Sequence, residues 1–207
     1  MIRKRKWKSS RGDQPPSIFD LSKTPLQGAS FFHLRVDCRG ALNKLPCPFS
    51  DEYIPVSFGW NRQEVELVFA YPSSKFHVDP KNFREGDAIE LFFDTRDNKE
   101  LFHPSRFFHH FLFYPEKVEG VFGKEITRFR GDETHDLADS SDLEVSGSRS
   151  LKIVIPSHAL FGYDPDQFKR LGFGYRIHFK DGSKQYLLTN KDFLEVVPAT
   201  LASLYML

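Results

Sequence analysis

The residues best equipped for chemistry are histidines, carboxylates and arginines that alternate with apolar residues. Glu90 and Asp94 alternate with Ile89, Leu91 and Phe93, and Arg176 and His178 with Tyr175 and Ile177. In a strand, neighbouring side chains point to opposite faces, so the aliphatic parity would face a core and the other parity would face outward. The outward set read this way holds His33, Arg35, Asp37, Glu66, Glu90, Asp94, Arg176 and His178. His109 or His110 joins it according to the register of their strand, and His110 is carried as a candidate ligand-binding residue. Opposite charges on such a face can pair across strands, each pair contributing roughly 0.2–1 kcal/mol. The same groups around a shallow cleft could bind a polyol or an anion.

Other chemistries find less support. His109 and His110 are sequence neighbours and point to opposite faces of a strand, so they cannot share one metal from regular β geometry. A zinc site would need a group from His103, His135 or Asp136 at a spacing unlike familiar motifs, and no metal centre is expected. The acidic stretches Asp132–Asp136 and Asp139–Asp142 could supply oxygens to a structural Ca²⁺, without EF-hand spacing. Otherwise no cofactor is expected; the two methionines, Met1 and Met206, stand at the chain ends, which disfavours a Met/His haem site. There is no G-x-S-x-G elbow, phosphate loop, G-x-G-x-x-G or H-E-x-x-H. Glu90 and Asp94 would lie roughly 13 Å apart along one strand, wider than the about 5–9.5 Å of a glycosidase pair. An enzyme is not expected.

These groups must be positioned by many short strands. The 207 residues suit a single domain with a tail. Phe 22 against Trp 2 and Met 2, with Gly 13 and Pro 13, favours pleated sheet punctuated by turns. Lys+Arg 29 against Asp+Glu 28 leaves a formal net charge of +1, so there is no strong global field for nucleic acid or acidic lipid. No apolar run approaches a membrane span. The basic start Arg3-Lys4-Arg5-Lys6 is followed by no apolar signal region, so a cytoplasmic location is expected. Residues 1–28 read as a basic, Pro- and Ser-containing arm, and residues 29–207 as the domain. Cys38 and Cys47 are either two reduced thiols or one bridge.

Strand-like alternation recurs at Phe32–Cys38, Val65–Tyr71, Ile89–Phe93, Leu151–Ile155 and Phe173–Phe179, and Phe107–Tyr114 reads as a central strand. Further short pieces are Val118–Phe122, Glu125–Phe129 and Lys184–Thr189, and residues 131–150 read as the longest loop. Asp181-Gly182 marks a hairpin. The pattern predicts an all-β, antiparallel β-sandwich or barrel.

The run Gly86-Asp87-Ala88-Ile89-Glu90-Leu91-Phe92-Phe93-Asp94 resembles a strand motif of family 9 carbohydrate-binding modules and DOMON-like domains. Leu151-Lys152-Ile153-Val154-Ile155-Pro156, with Leu160 and Leu171-Gly172-Phe173-Gly174-Tyr175-Arg176-Ile177, is similar to their later pattern, and Pro198–Leu204 to their final strand. Phe108-His109-His110-Phe111 and Thr127-Arg128-Phe129-Arg130 resemble a bacterial branch of the group. The resemblance implies a jelly-roll-like sandwich and a non-catalytic role, with a saccharide or polyol as ligand. In sugar-binding members two tryptophans sandwich a sugar. Here Trp7 lies in the arm, so Trp60, at the turn Phe58–Asn61, is expected to be one stacking wall. Glu90, Asp94, His110, Arg176 and His178 would supply hydrogen bonds. The alternative is an intracellular protein-protein interaction module that has lost the sugar site.

Overall fold

The computed structural model describes residues 33–36, 42–45, 54–70, 76–129, 131–147, 150–187 and 194–206. The arm 1–28, Asp37, Cys38 and Cys47 lie outside the described residues, as do the side chains of His33 and Arg35.

Twelve strands among the described residues form two packed sheets, a β-sandwich. They are β1 His33–Val36, β2 Asn43–Lys44, β3 Val56–Trp60, β4 Glu64–Phe69, β5 Ala88–Asp94, β6 Phe108–Val118, β7 Val121–Glu125, β8 Glu144–Gly147, β9 Leu151–Pro156, β10 Arg170–His178, β11 Lys184–Tyr186 and β12 Ala202–Met206. The larger sheet runs β1-β12-β10-β5-β6-β7, with β11 sharing one edge of β10 with β12. The smaller runs β2-β3-β4-β9-β8. All pairings are antiparallel except β1 with β12. No helix among the described residues is long and apolar enough to cross a membrane.

Alternation explains the core. Ile89, Leu91 and Phe93 of β5, Phe111 and Phe113 of β6, and Phe173, Tyr175 and Ile177 of β10 meet Phe58, Val65, Leu67, Phe69, Ile153 and Ile155 of the smaller sheet. Rings interlock at its centre, with Phe173 5.2 Å from both Phe58 and Phe93. Burying rings of this size is the main favourable contribution to folding.

The β6–β7 hairpin departs from the expected pieces. Val118–Phe122 is not one strand, because Glu119 (φ 52°) and Gly120 (φ 92°) form its turn. Two successive left-handed residues match the twist of a tight hairpin. Glu125–Phe129 also differs, since the strand stops at Glu125. There the Thr127 hydroxyl accepts from the His110 amide at 2.8 Å, and the Ile126 amide donates to the His110 carbonyl at 2.7 Å. A side chain thus replaces the next rung of the ladder. The stretch 131–150, expected as a loop, contributes β8, whose paired residues run Glu144↔Val154 to Gly147↔Leu151.

Candidate functional site

Strand register assembles one charged cluster on the outer face of the larger sheet. Glu90 lies opposite Leu112 of β6 and Arg176 of β10, and His178 follows two residues beyond Arg176. Glu90 Oε1 lies 3.0 Å from His110 Nε2, while Oε2 receives the Arg176 Nε–H and lies 2.6 Å from His178 Nε2. Arg176 Nη2 also donates to Glu195 Oε2 at 3.0 Å, and Arg84 Nη2 to Glu195 Oε1 at 3.0 Å. The His110 ring stacks on Phe92 at 4.5 Å. Glu90 is 0% exposed. Burial pushes its carboxyl up, but hydrogen bonds from His110, His178 and Arg176 outweigh it and hold Glu90 well below the usual carboxylate range. Arg176 is likewise pulled down by burial and raised further by its bonds to Glu90, ending above its ordinary value.

The outer face is not the open polar surface that alternation alone would suggest. Leu194 and Leu201 pack over Phe92 and Phe108, and Val78, Phe83 and Ile126 pack over Ala88, Leu112 and Tyr114. A cleft of about 620 Å³ opens at this roof, lined by Lys81, Asn82, Phe83, Arg84, Pro104, His110, Ile126, Arg128, Phe129, Glu195 and Val196. Of the sequence candidates only His110 lines it. Glu90, Arg176 and His178 lie buried beneath it, with Glu90 bonded to His110 and His178 and Arg176 to Glu195, so they hold the imidazole and the Glu195 carboxylate that line it.

Two candidates stand elsewhere. Trp60 is not a turn residue open to a sugar: it ends β3 on the same parity as Phe58 and is 4% exposed in the inter-sheet core. The turn begins one residue later, where Asn61 Oδ1 accepts from the amides of Gln63 and Glu64. Asp94 closes the turn after β5, accepting from the Arg96 amide at 3.0 Å and the Asn98 amide at 2.9 Å. Burial pushes its carboxyl up despite those two bonds. It is a buried turn cap, four residues along β5 from Glu90.

Sequence reasoning missed Phe83, Arg84 and Glu195 of the cleft. They lie in irregular segments without periodicity, and nothing local marks them. Arg128 and Phe129 stood in a quoted motif but carried no assigned role.

A second cluster forms on the opposite face of β6. His109 Nδ1 lies 3.0 Å and His135 Nε2 2.8 Å from Glu125 Oε1, and one ligand atom from each of the three residues lies within 4.8 Å of the others. The Thr127 hydroxyl donates to Oε1 at 2.6 Å and the Ala138 amide to Oε2 at 2.9 Å. The sequence showed no familiar metal motif and left a zinc site needing a further group from His103, His135 or Asp136; the fold brings His135 and Glu125 to His109. In the acidic stretch beyond, Asp139 and Asp142 cap each other's amides across Ser140–Asp142.

No protein-family model and no curated protein matches the chain. Solved structures do share its fold. One is a family 9 carbohydrate binding module from Caldicellulosiruptor kristjanssonii in complex with cellotriose, with TM-score 0.56 and 9% identity, covering 80% of this chain and 81% of that one. Another, from the same organism in complex with glucose, has TM-score 0.56 and 10% identity, covering 83% and 94%. At these identities the likeness is one of fold: the chain is a sandwich of the family 9 carbohydrate-binding-module type.

Proposed function

We propose that the protein is a non-catalytic binding module that takes a saccharide or related polyol in the cleft above His110. The observation that carries this reading is the lining itself. Phe83 and Phe129 put aromatic surface at the cleft for the apolar side of a sugar, and His110, Arg84, Arg128, Asn82 and Glu195 offer donors and acceptors for its hydroxyls. The buried Glu90 network supports it by holding His110 and Arg176 in place before any ligand arrives. Similar sandwiches solved with cellotriose and glucose support the ligand class. Lys81, Arg84 and Arg128 against Glu195 leave the lining cationic, which favours sugars bearing a carboxylate over neutral ones.

A non-catalytic role is consistent with the carboxylates. Glu90 is consumed by three partners and Asp94 by a turn, so neither is poised as acid or nucleophile.

The test is an array of neutral and uronate-containing oligosaccharides probed with wild-type protein, His110→Ala and Arg128→Ala. Expected is binding that weakens roughly tenfold or more in both variants, since each lost hydrogen bond to a charged group is worth about 1.5–3 kcal/mol. Binding unchanged in both would move the site away from this cleft. No binding from folded wild type would favour the protein-interaction alternative.

A further inference from the structure

The His109–Glu125–His135 cluster lies outside the proposed saccharide cleft and is built from three separate elements. His109 comes from the core-facing parity of β6, and Glu125 is the last residue of β7. His135 comes from an exposed loop in which Glu133, Thr134, Asp136 and Leu137 face solvent. Its side chain alone turns in from that run, to 2% exposure. The two imidazoles face each other with ring centroids 4.2 Å apart. The Phe161 ring stacks on His135, and Phe129 packs edge-on against it.

Each nitrogen of the two rings faces an oxygen. The far nitrogen of His135, Nδ1, lies 2.7 Å from the Arg106 carbonyl oxygen, and the far nitrogen of His109, Nε2, lies 3.4 Å from the Phe161 carbonyl oxygen. The near nitrogens, His109 Nδ1 and His135 Nε2, both lie against Glu125 Oε1, which already receives the Thr127 hydroxyl. Neither a carbonyl nor a carboxylate has a proton to give, and a neutral imidazole has one N–H for its two nitrogens, so two neutral rings cannot donate to all of these oxygens. A cation among the three inward atoms meets that shortfall: each ring keeps its one N–H for the outer carbonyl and turns its near lone pair to the metal.

We infer that His109 Nδ1, His135 Nε2 and the Glu125 carboxylate form a binding site for a divalent transition metal, with zinc the best match. Two imidazoles and a carboxylate are borderline nitrogen and oxygen ligands of the kind zinc takes. The 2.8 and 3.0 Å nitrogen–oxygen separations approximate a tetrahedral edge, roughly 3.3 Å for ~2.0 Å bonds, and with all three atoms within 4.8 Å of one another a small inward turn of the His135 ring would close the third edge. With a metal on the near nitrogens, the remaining N–H of each histidine would face a backbone carbonyl, the arrangement that fixes tautomer and ring orientation in metal sites. Thr127 and the Ala138 amide do the same for the carboxylate. Bound metal would fasten the 131–138 loop to the β6–β7 pair.

The experiment is metal analysis of tag-free full-length protein stripped with a chelator, dialysed, and titrated with Zn²⁺ and separately with Co²⁺. Expected are one tightly held Zn²⁺ per chain, visible Co²⁺ absorption of a low-symmetry nitrogen–oxygen site, and a higher melting temperature with Zn²⁺. His135→Ala and Glu125→Gln should each lose stoichiometric binding, and His103→Ala, on an exposed histidine outside the cluster, should keep it. If Glu125→Gln fails to fold, His135→Asn, which alters only a loop residue, with its far-UV circular dichroism checked, takes its place. Wild-type protein that retains no metal after dialysis, or binding that survives His135→Ala, would overturn the assignment.

Discussion

Glu90 concentrates three cross-strand partners on two oxygens, and that burial makes it both expensive to move and easy to test. Removing one member of a buried charged network leaves the others uncompensated, at a cost of about 3–5 kcal/mol. Glu90→Gln is therefore expected to lower stability by that order at pH 7, read by chemical denaturation. The pH dependence follows from the direction of the shift. The folded-state carboxyl sits below its ordinary 4.5, so its stabilisation is complete above pH 4.5 and is lost as pH falls below it. The gap between wild type and Glu90→Gln should narrow on acidification below pH 4.5. A gap that stays constant down to pH 3 would show that Glu90 is not the charged hub described. At this scale the sequence was informative: Glu90, Arg176 and His178 share the outward parity and meet. Asp94 shares it too, yet its turn amides claim it, because a carboxylate at a strand end serves whichever donors the following loop presents.

Strand pairing sets the limits on the β6–β7 hairpin. The register shifts between Phe113 and Val118, and Gly123 stands opposite Phe113 at the edge of that shift. A Cβ there would lie 2.3 Å from the Leu112 carbonyl oxygen and 2.5 Å from the Phe113 ring. Gly123→Ala must push the strands apart and is expected to cost about 1–3 kcal/mol. A thermal melt within a degree of wild type would contradict the pairing. Because β7 ends in Glu125, the same substitution should also weaken Zn²⁺ binding. Element boundaries were the least legible feature in the sequence. Glu119-Gly120 is a hairpin turn inside the short piece Val118–Phe122, and within β8 itself, Glu144–Gly147, the one strand-forming residue is Val145. Neither has a local hydrophobic pattern strong enough to announce it.

Across the whole molecule, the two sheets are joined by one aromatic core, and Trp60 belongs to it. Trp60→Ala should cost about 3–5 kcal/mol through the cavity it leaves, while saccharide binding by the protein that remains folded is unchanged. Loss of binding without loss of stability would return Trp60 to the site. Period-2 alternation is a local property of the backbone, so the sequence by itself determined the all-β class, the inward faces of the long strands and the shared face of Glu90, Arg176 and His178, while sandwich against barrel rested on the family resemblance. Local pattern does not encode which segments close over a face. The roof formed by Leu194, Leu201, Val78 and Phe83, the cleft it frames and the burial of Glu90 were decided only by tertiary structure. So was the meeting of His109, Glu125 and His135. Their sequence separations of 16 and 10 residues match no metal motif until a hairpin and a loop close in three dimensions.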